Sequence, residues 1–128
     1  MATKSSARRS EAVRKRVLVV EDEQALRSLI ELILSEVGYH VVSAADGEEA
    51  LALVNRGEPA LDLVLTDAVM PKLSGPELVT RLREVLRNIR VIQMTGYSDH
   101  GFSDDPLITK PFEPETLLRR VRDLLDQS

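Results

Sequence analysis

Five polar residues follow apolar segments of this sequence, and their types suit metal-assisted chemistry. Glu21 and Asp22 end one apolar run, and Asp67, Thr95 and Lys110 each end another. Clustered carboxylates stay ionised only beside a cation, here either a divalent metal ion or the Lys110 ammonium. Because no His or Cys belongs to this set, the oxygen ligands favour Mg²⁺ (or Mn²⁺) over zinc.

Asp67 is the candidate nucleophile of the set. A carboxylate accepts a phosphoryl group when a metal ion neutralises both the carboxylate and the incoming phosphate. Asp67 stands alone after its apolar segment, whereas Glu21 and Asp22 form an acidic pair suited to hold the metal. We therefore expect the reacting group on Asp67 and the metal beside the pair.

Strands and helices must bring these chain positions together, and the apolar pattern predicts them. Short apolar runs predict buried strands at 17–20, 39–44, 61–66, 91–94 and 107–109. Apolar residues three and four apart predict the intervening helices, with stops at Gly38 and Gly57 and starts at Asp46, Ser74 and Pro114. Strict alternation predicts an α/β fold whose parallel sheet is covered on both faces. Its ligand site lies at the carboxyl ends of the strands.

Composition limits the function classes. With 128 residues, 43% hydrophobic and 30% charged, the chain suits one globular domain. Aromatic residues are only 3%, which argues against stacking surfaces for nucleic acid. The sequence has no cysteine, no apolar run of membrane-spanning length and no hydrophobic signal segment. These features favour a cytoplasmic location without a membrane partner.

The amino-terminal segment differs in charge from the remainder. Six basic residues against Glu11 give residues 1–16 a net charge of +5, which leaves −9 on the remainder because the whole chain carries −4. We interpret residues 1–16 as a basic flexible leader. Contact of this leader with nucleic acid, anionic lipid or an acidic partner is the alternative.

Four segments together resemble the receiver domain of two-component response regulators, the CheY-like superfamily. They are the acidic run 17–23, the run 62–67 with Met70, Pro71 and Gly75, the segment 94–99, and Lys110-Pro111-Phe112. The resemblance covers about residues 16–127. It implies a flavodoxin-like doubly wound sheet of five strands in the order 2-1-3-4-5 and a receiver domain over residues 17–127. It also implies phosphoryl transfer from a phosphohistidine of a histidine kinase or histidine phosphotransfer protein.

The resemblance also implies a role for each matching residue. Asp67 would be the phospho-acceptor, and the Thr95 hydroxyl and the Lys110 ammonium would contact the phosphoryl oxygens. Mg²⁺ would be held directly or through water by Glu21, Asp22, Asp67 and the backbone carbonyl of Val69. Added phosphate brings nearly two negative charges, enough to draw Thr95 inward and bias the neighbouring loops between two arrangements.

The chain departs from the family on the carboxyl side of Thr95. Only 14 residues separate Thr95 from Lys110, and 11 remain once the strand 107–109 is subtracted. A helix of ordinary length with its connections does not fit, so we expect the fourth helix to be short, distorted or absent. Leu107 occupies the family's aromatic switch position, and we expect weaker coupling through it. Dimerisation, which receivers often mediate through this face, is left open.

Two side chains beside the predicted site bear on the lifetime of the phosphate. Val69 and Tyr97 flank the family's path for hydrolytic water, and both are apolar or bulky. We expect slow self-dephosphorylation. The chain would then catalyse its own phosphorylation and dephosphorylation at most, with no turnover of an independent small molecule.

Several functions remain open at this point. The first is a stand-alone receiver or phosphorelay intermediate that signals through a downstream protein; a receiver excised from a hybrid histidine kinase would read the same way. The second is a protein-binding module on this fold that signals without phosphate. A haloacid-dehalogenase-type phosphatase is disfavoured, because that class needs an acid where Val69 stands. His40 and His100 are interpreted as solvated side chains rather than phosphohistidines.

Overall fold

The structure is a computed structural model that describes residues 14–57, 60–96 and 105–126. These residues form five strands, β1 (Arg16–Val20), β2 (His40–Ala44), β3 (Leu63–Asp67), β4 (Arg90–Thr95) and β5 (Leu107–Thr109). They also form four helices, α1 (Gln24–Glu36), α2 (Gly47–Asn55), α3 (Gly75–Val85) and α4 (Pro114–Leu125). All strand pairs are parallel, in the order β2-β1-β3-β4-β5. The predicted flavodoxin-like fold class is confirmed.

Both faces of the sheet are covered, as the continuous apolar strands predict. Alternate residues of each strand point to opposite faces, so Leu18 and Val20 pack towards α2 and α3, while Val17 and Val19 pack towards α1 and α4. These four side chains have no exposed surface. Burial of a side chain of this size contributes about 1.5–3 kcal/mol. The central strands are therefore firmly placed, and so are the residues that follow them.

The helix boundaries follow the predicted signals. Asp46 accepts a hydrogen bond from the Glu49 amide at 2.8 Å and caps α2. Ser74 and Glu77 form a reciprocal capping box at α3. Gly38 follows α1 with φ of +103°, a conformation that disfavours other residues. None of the helices in the described parts of the chain is long and apolar enough to cross a membrane.

The largest change in strand boundaries concerns β3, which is predicted at 61–66 and observed at Leu63–Asp67. Asp62 is held by Arg16, because the Arg16 amide donates to the Asp62 carboxylate at 2.8 Å and the Asp62 amide donates to the Arg16 carbonyl at 2.8 Å. One of these acceptors is a side chain, so regular pairing of β3 begins only at Leu63. At its other end, β3 extends to include Asp67.

The connection between β4 and β5 carries the predicted departure from the family. Its described residues, Gly96, Asp105 and Pro106, are not helical. The prediction that the fourth helix is short, distorted or absent concerns mainly residues 97–104, which lie outside the described residues. So do Tyr97, His100 and most of the leader 1–16. Arg16, the last residue of that predicted leader, is the first residue of β1.

Candidate functional site

Strand register brings the predicted site residues to one edge of the sheet. Val20 pairs with Thr66, so Glu21 and Asp67 lie side by side at the carboxyl ends of β1 and β3. Asp67 in turn pairs with Met94, and Thr95 pairs with Thr109, the residue before Lys110. Backbone pairing therefore fixes the order of Glu21, Asp67, Thr95 and Lys110 across the sheet.

The Lys110 ammonium bridges two of the carboxylates. Its Nζ donates to Glu21 Oε1 at 2.9 Å and to Asp67 Oδ2 at 3.1 Å. The Glu21 side chain is only 1% exposed, and a buried carboxylate is costly unless it is paired and hydrogen-bonded. Lys110 supplies that pairing and links residues from opposite ends of the chain.

Three acidic side chains converge beside this bridge. One carboxylate oxygen from each of Glu21, Asp22 and Asp67 lies within 4.8 Å of the others. When ionised, three carboxylates against one ammonium leave two negative charges, which a divalent cation balances. The donors are all hard oxygen atoms, as Mg²⁺ requires, and Asp22 is exposed, which leaves the group open to solvent. The residues present fit a magnesium ion.

Burial and pairing shift two pKa values at the site. Burial raises the pKa of Glu21 above its ordinary value, although hydrogen bonds from the Glu23 amide and from Lys110 oppose that rise. For Lys110, burial acts to lower the pKa, but the hydrogen bonds and charges of Glu21 and Asp67 outweigh it and raise the pKa above its ordinary value. The Lys110 ammonium therefore stays charged at neutral pH.

The Asp67 carboxylate and backbone are closely constrained. Asp67 Oδ1 accepts from the Val69 amide at 3.2 Å, and Oδ2 accepts from Lys110. The first residue of α3, Gly75, lies close to the backbone of Asp67 and Ala68. A Cβ on Gly75 would lie 2.5 Å from the Asp67 carbonyl oxygen and 2.8 Å from Ala68 Cα. The Gly75 amide also donates to the Ala68 carbonyl at 2.9 Å. Only glycine permits this approach.

The other predicted residues lie around the acidic group. Thr95 is buried at the end of β4, and its carbonyl accepts from the Lys110 amide at 2.7 Å. Val69, two residues after the end of β3, is 57% exposed. Leu107 is the half-buried first residue of β5, away from the carboxylates by strand register. The Lys110–Pro111 peptide bond is cis.

Arg27 belongs to the site, although the sequence analysis did not identify it. Its Nη1 donates to the Glu21 backbone carbonyl at 2.8 Å, while the Glu23 amide donates to Glu21 Oε2 at 3.0 Å. Arg27 lies one helical turn after Glu23, which is the only sequence signal that it can reach the acidic turn. Residue type gave no such indication, because arginine is common on exposed helix faces.

An apolar groove of about 600 Å³ opens next to Lys110. One wall is α1, which contributes Leu26, Leu29 and Ile33, and the other wall includes Phe112. Leu29 is 48% exposed. The groove therefore places uncovered apolar surface beside the charged site, an arrangement typical of a protein-docking surface.

Comparison with known sequences matches this arrangement to one family. The sequence model of the response regulator receiver domain family matches residues 17–122. The probable transcriptional regulator ycf27 of Porphyridium aerugineum is 39% identical over 119 residues, covering 88% of this chain and 48% of that protein. The alkaline phosphatase synthesis transcriptional regulatory protein PhoP of Bacillus subtilis is 34% identical over 122 residues, covering 89% and 50%. The chain thus spans about half the length of these curated relatives.

Solved structures show the same likeness. The receiver domain of the hybrid histidine kinase CckA is 37% identical, with a TM-score of 0.78, and the match covers 87% of this chain and 99% of that one. The response regulator TrrA of Thermotoga maritima, in complex with Mg²⁺-BeF, is 37% identical, with a TM-score of 0.75 and coverage of 86% and 98%.

Proposed function

This chain belongs to the response regulator receiver domain family of two-component signalling, and from that premise we propose that it accepts a phosphoryl group on Asp67. The donor is a phosphohistidine of a histidine kinase or a histidine phosphotransfer protein. The observation that carries the proposal is the placement of the Asp67 carboxylate. Its Oδ2 accepts a hydrogen bond from the Lys110 ammonium, and one of its oxygens lies within 4.8 Å of an oxygen of Glu21 and of Asp22.

The transfer exchanges one bond to phosphorus for another. An Asp67 carboxylate oxygen attacks phosphorus, the bond to the imidazole nitrogen breaks, and the bonding electron pair leaves with the imidazole. Mg²⁺ (or Mn²⁺), when bound, neutralises the acceptor and the phosphoryl group. Glu21, Asp22, Asp67 and the Val69 backbone carbonyl are the residues that would hold it.

Lys110 and Thr95 respond to the new phosphate in this proposal. Before transfer, Lys110 is paired with Asp67 at 3.1 Å. Phosphorylation removes charge from the Asp67 oxygens and places it on the phosphoryl oxygens, so the ammonium re-pairs with them. The buried Thr95 hydroxyl donates to the same group, and its movement biases the adjacent loops.

In this proposal, the conformational response to phosphorylation passes only weakly through Leu107 in β5, the aromatic switch position of the family. Leu107 has no ring or hydroxyl to follow the movement of Thr95, so coupling through β5 is weak. Val69 is largely exposed beside Asp67, and its apolar side chain shields the phosphate from water in this proposal. Dephosphorylation is then slow, and no other catalytic turnover is expected.

The groove between α1 and Phe112 is the docking site for the phosphohistidine protein in this proposal. It adjoins Lys110, so a partner seated there holds its histidine near Asp67. Its apolar walls supply affinity without competing for the charges of the acidic group. Charge reversal inside the groove, as in Leu29→Glu, should slow transfer from a protein donor more than transfer from a small molecule.

We propose that this chain passes its signal to a downstream protein. The curated relatives are transcriptional regulators of about twice this length, and a receiver of a hybrid histidine kinase matches over nearly its whole length. Either context suits residues 17–127 as a receiver, with 1–16 as a basic segment, in the cytoplasm. A binding module that works without phosphate is the second candidate, favoured by the short β4–β5 connection.

The test uses acetyl phosphate as donor and the intact mass of the protein as readout. We expect one phosphoryl adduct with Mg²⁺, no adduct in EDTA, and none on Asp67→Asn. Asp62→Asn is the matched control, because the same substitution at the opposite end of β3 should leave the adduct intact. Failure of the wild type to form any adduct with Mg²⁺ would favour the phosphate-independent module.

A further inference from the structure

We propose that Arg27 is a positioning residue that holds the turn Glu21–Glu23 so that Asp22 faces Asp67. The inference rests on the proposed function, because it assigns Arg27 a part in forming the metal site. Arg27 does not belong to the acidic group itself. Its guanidinium contacts the backbone of the turn, and it acts through Asp22.

The turn is fixed on both sides of Asp22. Before Asp22, the Glu21 carbonyl accepts from Arg27 Nη1 at 2.8 Å. After it, the Glu23 carbonyl accepts from the Arg27 amide at 2.9 Å, the first hydrogen bond of α1. Arg27 therefore holds the carbonyls of both neighbours of Asp22, one through its side chain and one through its backbone.

The start of α1 lacks the side-chain cap that the next two helices have. Asp46 and Ser74 cap α2 and α3 through their own side chains. Glu23 makes no side-chain cap hydrogen bond within the described part of the chain. Without the Arg27 guanidinium, the Glu21 carbonyl would lose its hydrogen bond from Nη1. Among side chains, only the Glu21 carboxylate would then hold the turn in the described part of the chain, through Oε2, which accepts from the Glu23 amide at 3.0 Å.

That carboxylate has other partners. Glu21 already accepts from Lys110 at 2.9 Å, and it belongs to the three carboxylates that would hold a metal ion. If Glu21 held a metal ion as well, its carboxylate would be shared between that ion and the Glu23 amide. The Arg27 guanidinium donates to the Glu21 backbone carbonyl instead, so this bond holds the turn with or without a metal ion at the carboxylates.

The positive charge of Arg27 and its hold on the turn predict opposite effects on Mg²⁺ affinity when the side chain is removed. The guanidinium is a positive charge near the site, so its removal by charge alone would strengthen binding of Mg²⁺. Loss of the held turn would weaken binding, because Asp22 would no longer be placed in advance. The sign of the change in affinity therefore separates the two roles.

The experiment measures the Mg²⁺ dissociation constant by amide NMR titration, without a phosphodonor. For Arg27→Ala and Arg27→Gln we expect the constant to rise about tenfold, as for loss of a group that orients a metal ligand. Arg27→Lys keeps a cationic donor and should recover most of the affinity. Arg81→Ala, an exposed arginine of α3, is the control.

Three results would overturn the inference: an unchanged or lower constant for both Arg27→Ala and Arg27→Gln, failure of Arg27→Lys to recover affinity, or no binding of Mg²⁺ by the wild type. A well-dispersed spectrum verifies that each variant is folded. Failure of the proposed function looks different, since the wild type would then bind Mg²⁺ without accepting a phosphoryl group.

Discussion

The acidic edge formed by β1 and β3 differs in construction from the β4–β5 side. β1 and β3 are central strands with a partner on each side. Their carboxyl ends place Glu21 and Asp67 by backbone pairing, before any side chain contributes. The positions of Glu21 and Asp67 are thus set by the pairing of two buried central strands.

On the β4–β5 side, side-chain contacts between separate elements add to the backbone pairing. β5 has three residues and pairs, within the described part of the chain, with β4 alone. The Arg83 guanidinium holds Asp105, which precedes β5, through two bonds of 2.9 and 3.2 Å, and also donates to the Ile89 carbonyl at 3.1 Å. Arg120 donates to the Leu107 carbonyl at 2.9 Å. The contacts of each arginine can be removed by one substitution.

This difference implies that phosphorylation of Asp67 and the conformational response to it can be altered separately in this fold. Substitutions at the acidic edge should affect stability and phosphorylation together, because the same backbone supports both. Substitutions on the β4–β5 side, other than at Thr95 and Lys110, should affect stability or response and leave the phosphorylation yield unchanged. Each prediction below tests that division.

The largest effect is expected from Gly75→Ala. The added Cβ would lie 2.5 Å from the Asp67 carbonyl, and relief of such overlap in a packed region costs about 3 kcal/mol. We expect that loss in urea unfolding, together with a reduced phosphorylation yield because Asp67 is displaced.

Gly57→Ala serves as control for Gly75→Ala. Gly57 has φ of +83° and, among the described residues, no atom within 4 Å of an added Cβ, so the cost should be about 1 kcal/mol of backbone strain. Equal losses for the two variants, or a normal yield for Gly75→Ala, would contradict the prediction.

Lys110→Met should have the next largest effect. It leaves the buried Glu21 carboxylate without its cation, and the 25% exposure of Lys110 reduces the cost of a broken buried pair to about 2 kcal/mol. Lys72→Met breaks a 3.5 Å pair with Glu48 in which both side chains are more than 60% exposed. That control should cost less than about 0.5 kcal/mol.

The contribution of Lys110 should also depend on pH. Its folded-state pKa is raised above the ordinary 10.5, so the contribution is complete below pH 10.5 and is lost as pH rises through the raised value. The difference in unfolding free energy between wild type and Lys110→Met should therefore stay level from neutral pH to pH 10.5 and then narrow. A difference that widens at alkaline pH would contradict the pairing.

Arg83→Ala tests the other side of the comparison. Loss of the bonds to Asp105 and to the Ile89 carbonyl should reduce the unfolding free energy by about 1 kcal/mol, since the guanidinium is partly exposed. The phosphorylation yield should equal that of the wild type. Arg81→Ala on the exposed face of α3 is the control, and a fall in yield specific to Arg83→Ala would break the division.

Leu107→Tyr should have the smallest effect on stability, within about 0.5 kcal/mol, because Leu107 is only half-buried. Its effect should appear instead in the response to phosphorylation. A ring at this position can follow the movement of Thr95, so phosphorylation should produce larger amide shifts along β5. Leu107→Met is the matched aliphatic control, and equal shifts in all three proteins would count against the proposed route.

Much of the acidic edge is predictable from the sequence because the relevant signals are local. Asp67 and Lys110 each follow a short apolar run, and parallel pairing brings such positions to one edge. The caps at Asp46 and Ser74 are predictable for the same reason, since each contacts a residue three positions away. Residue type and spacing are sufficient in these cases.

The contacts that escaped prediction depend on the reach of a long side chain or on tertiary packing. Arg27 turns back towards Glu21, which its helical spacing permits but does not require. Arg83 and Asp105 are 22 positions apart, and no periodic pattern pairs them. The late start of β3 follows from the bonds between Arg16 and Asp62, which become possible only once the strands are aligned.

The most direct test of Asp67 as phospho-acceptor is chemical mapping of the phosphorylated residue. Borohydride reduces an acyl phosphate to an alcohol, so a phosphorylated aspartate becomes homoserine and can be located by peptide sequencing. After treatment with acetyl phosphate and Mg²⁺, we predict homoserine at position 67 and at no other acidic residue. Homoserine at Asp22, or phosphoryl incorporation with no homoserine at position 67, would contradict the assignment.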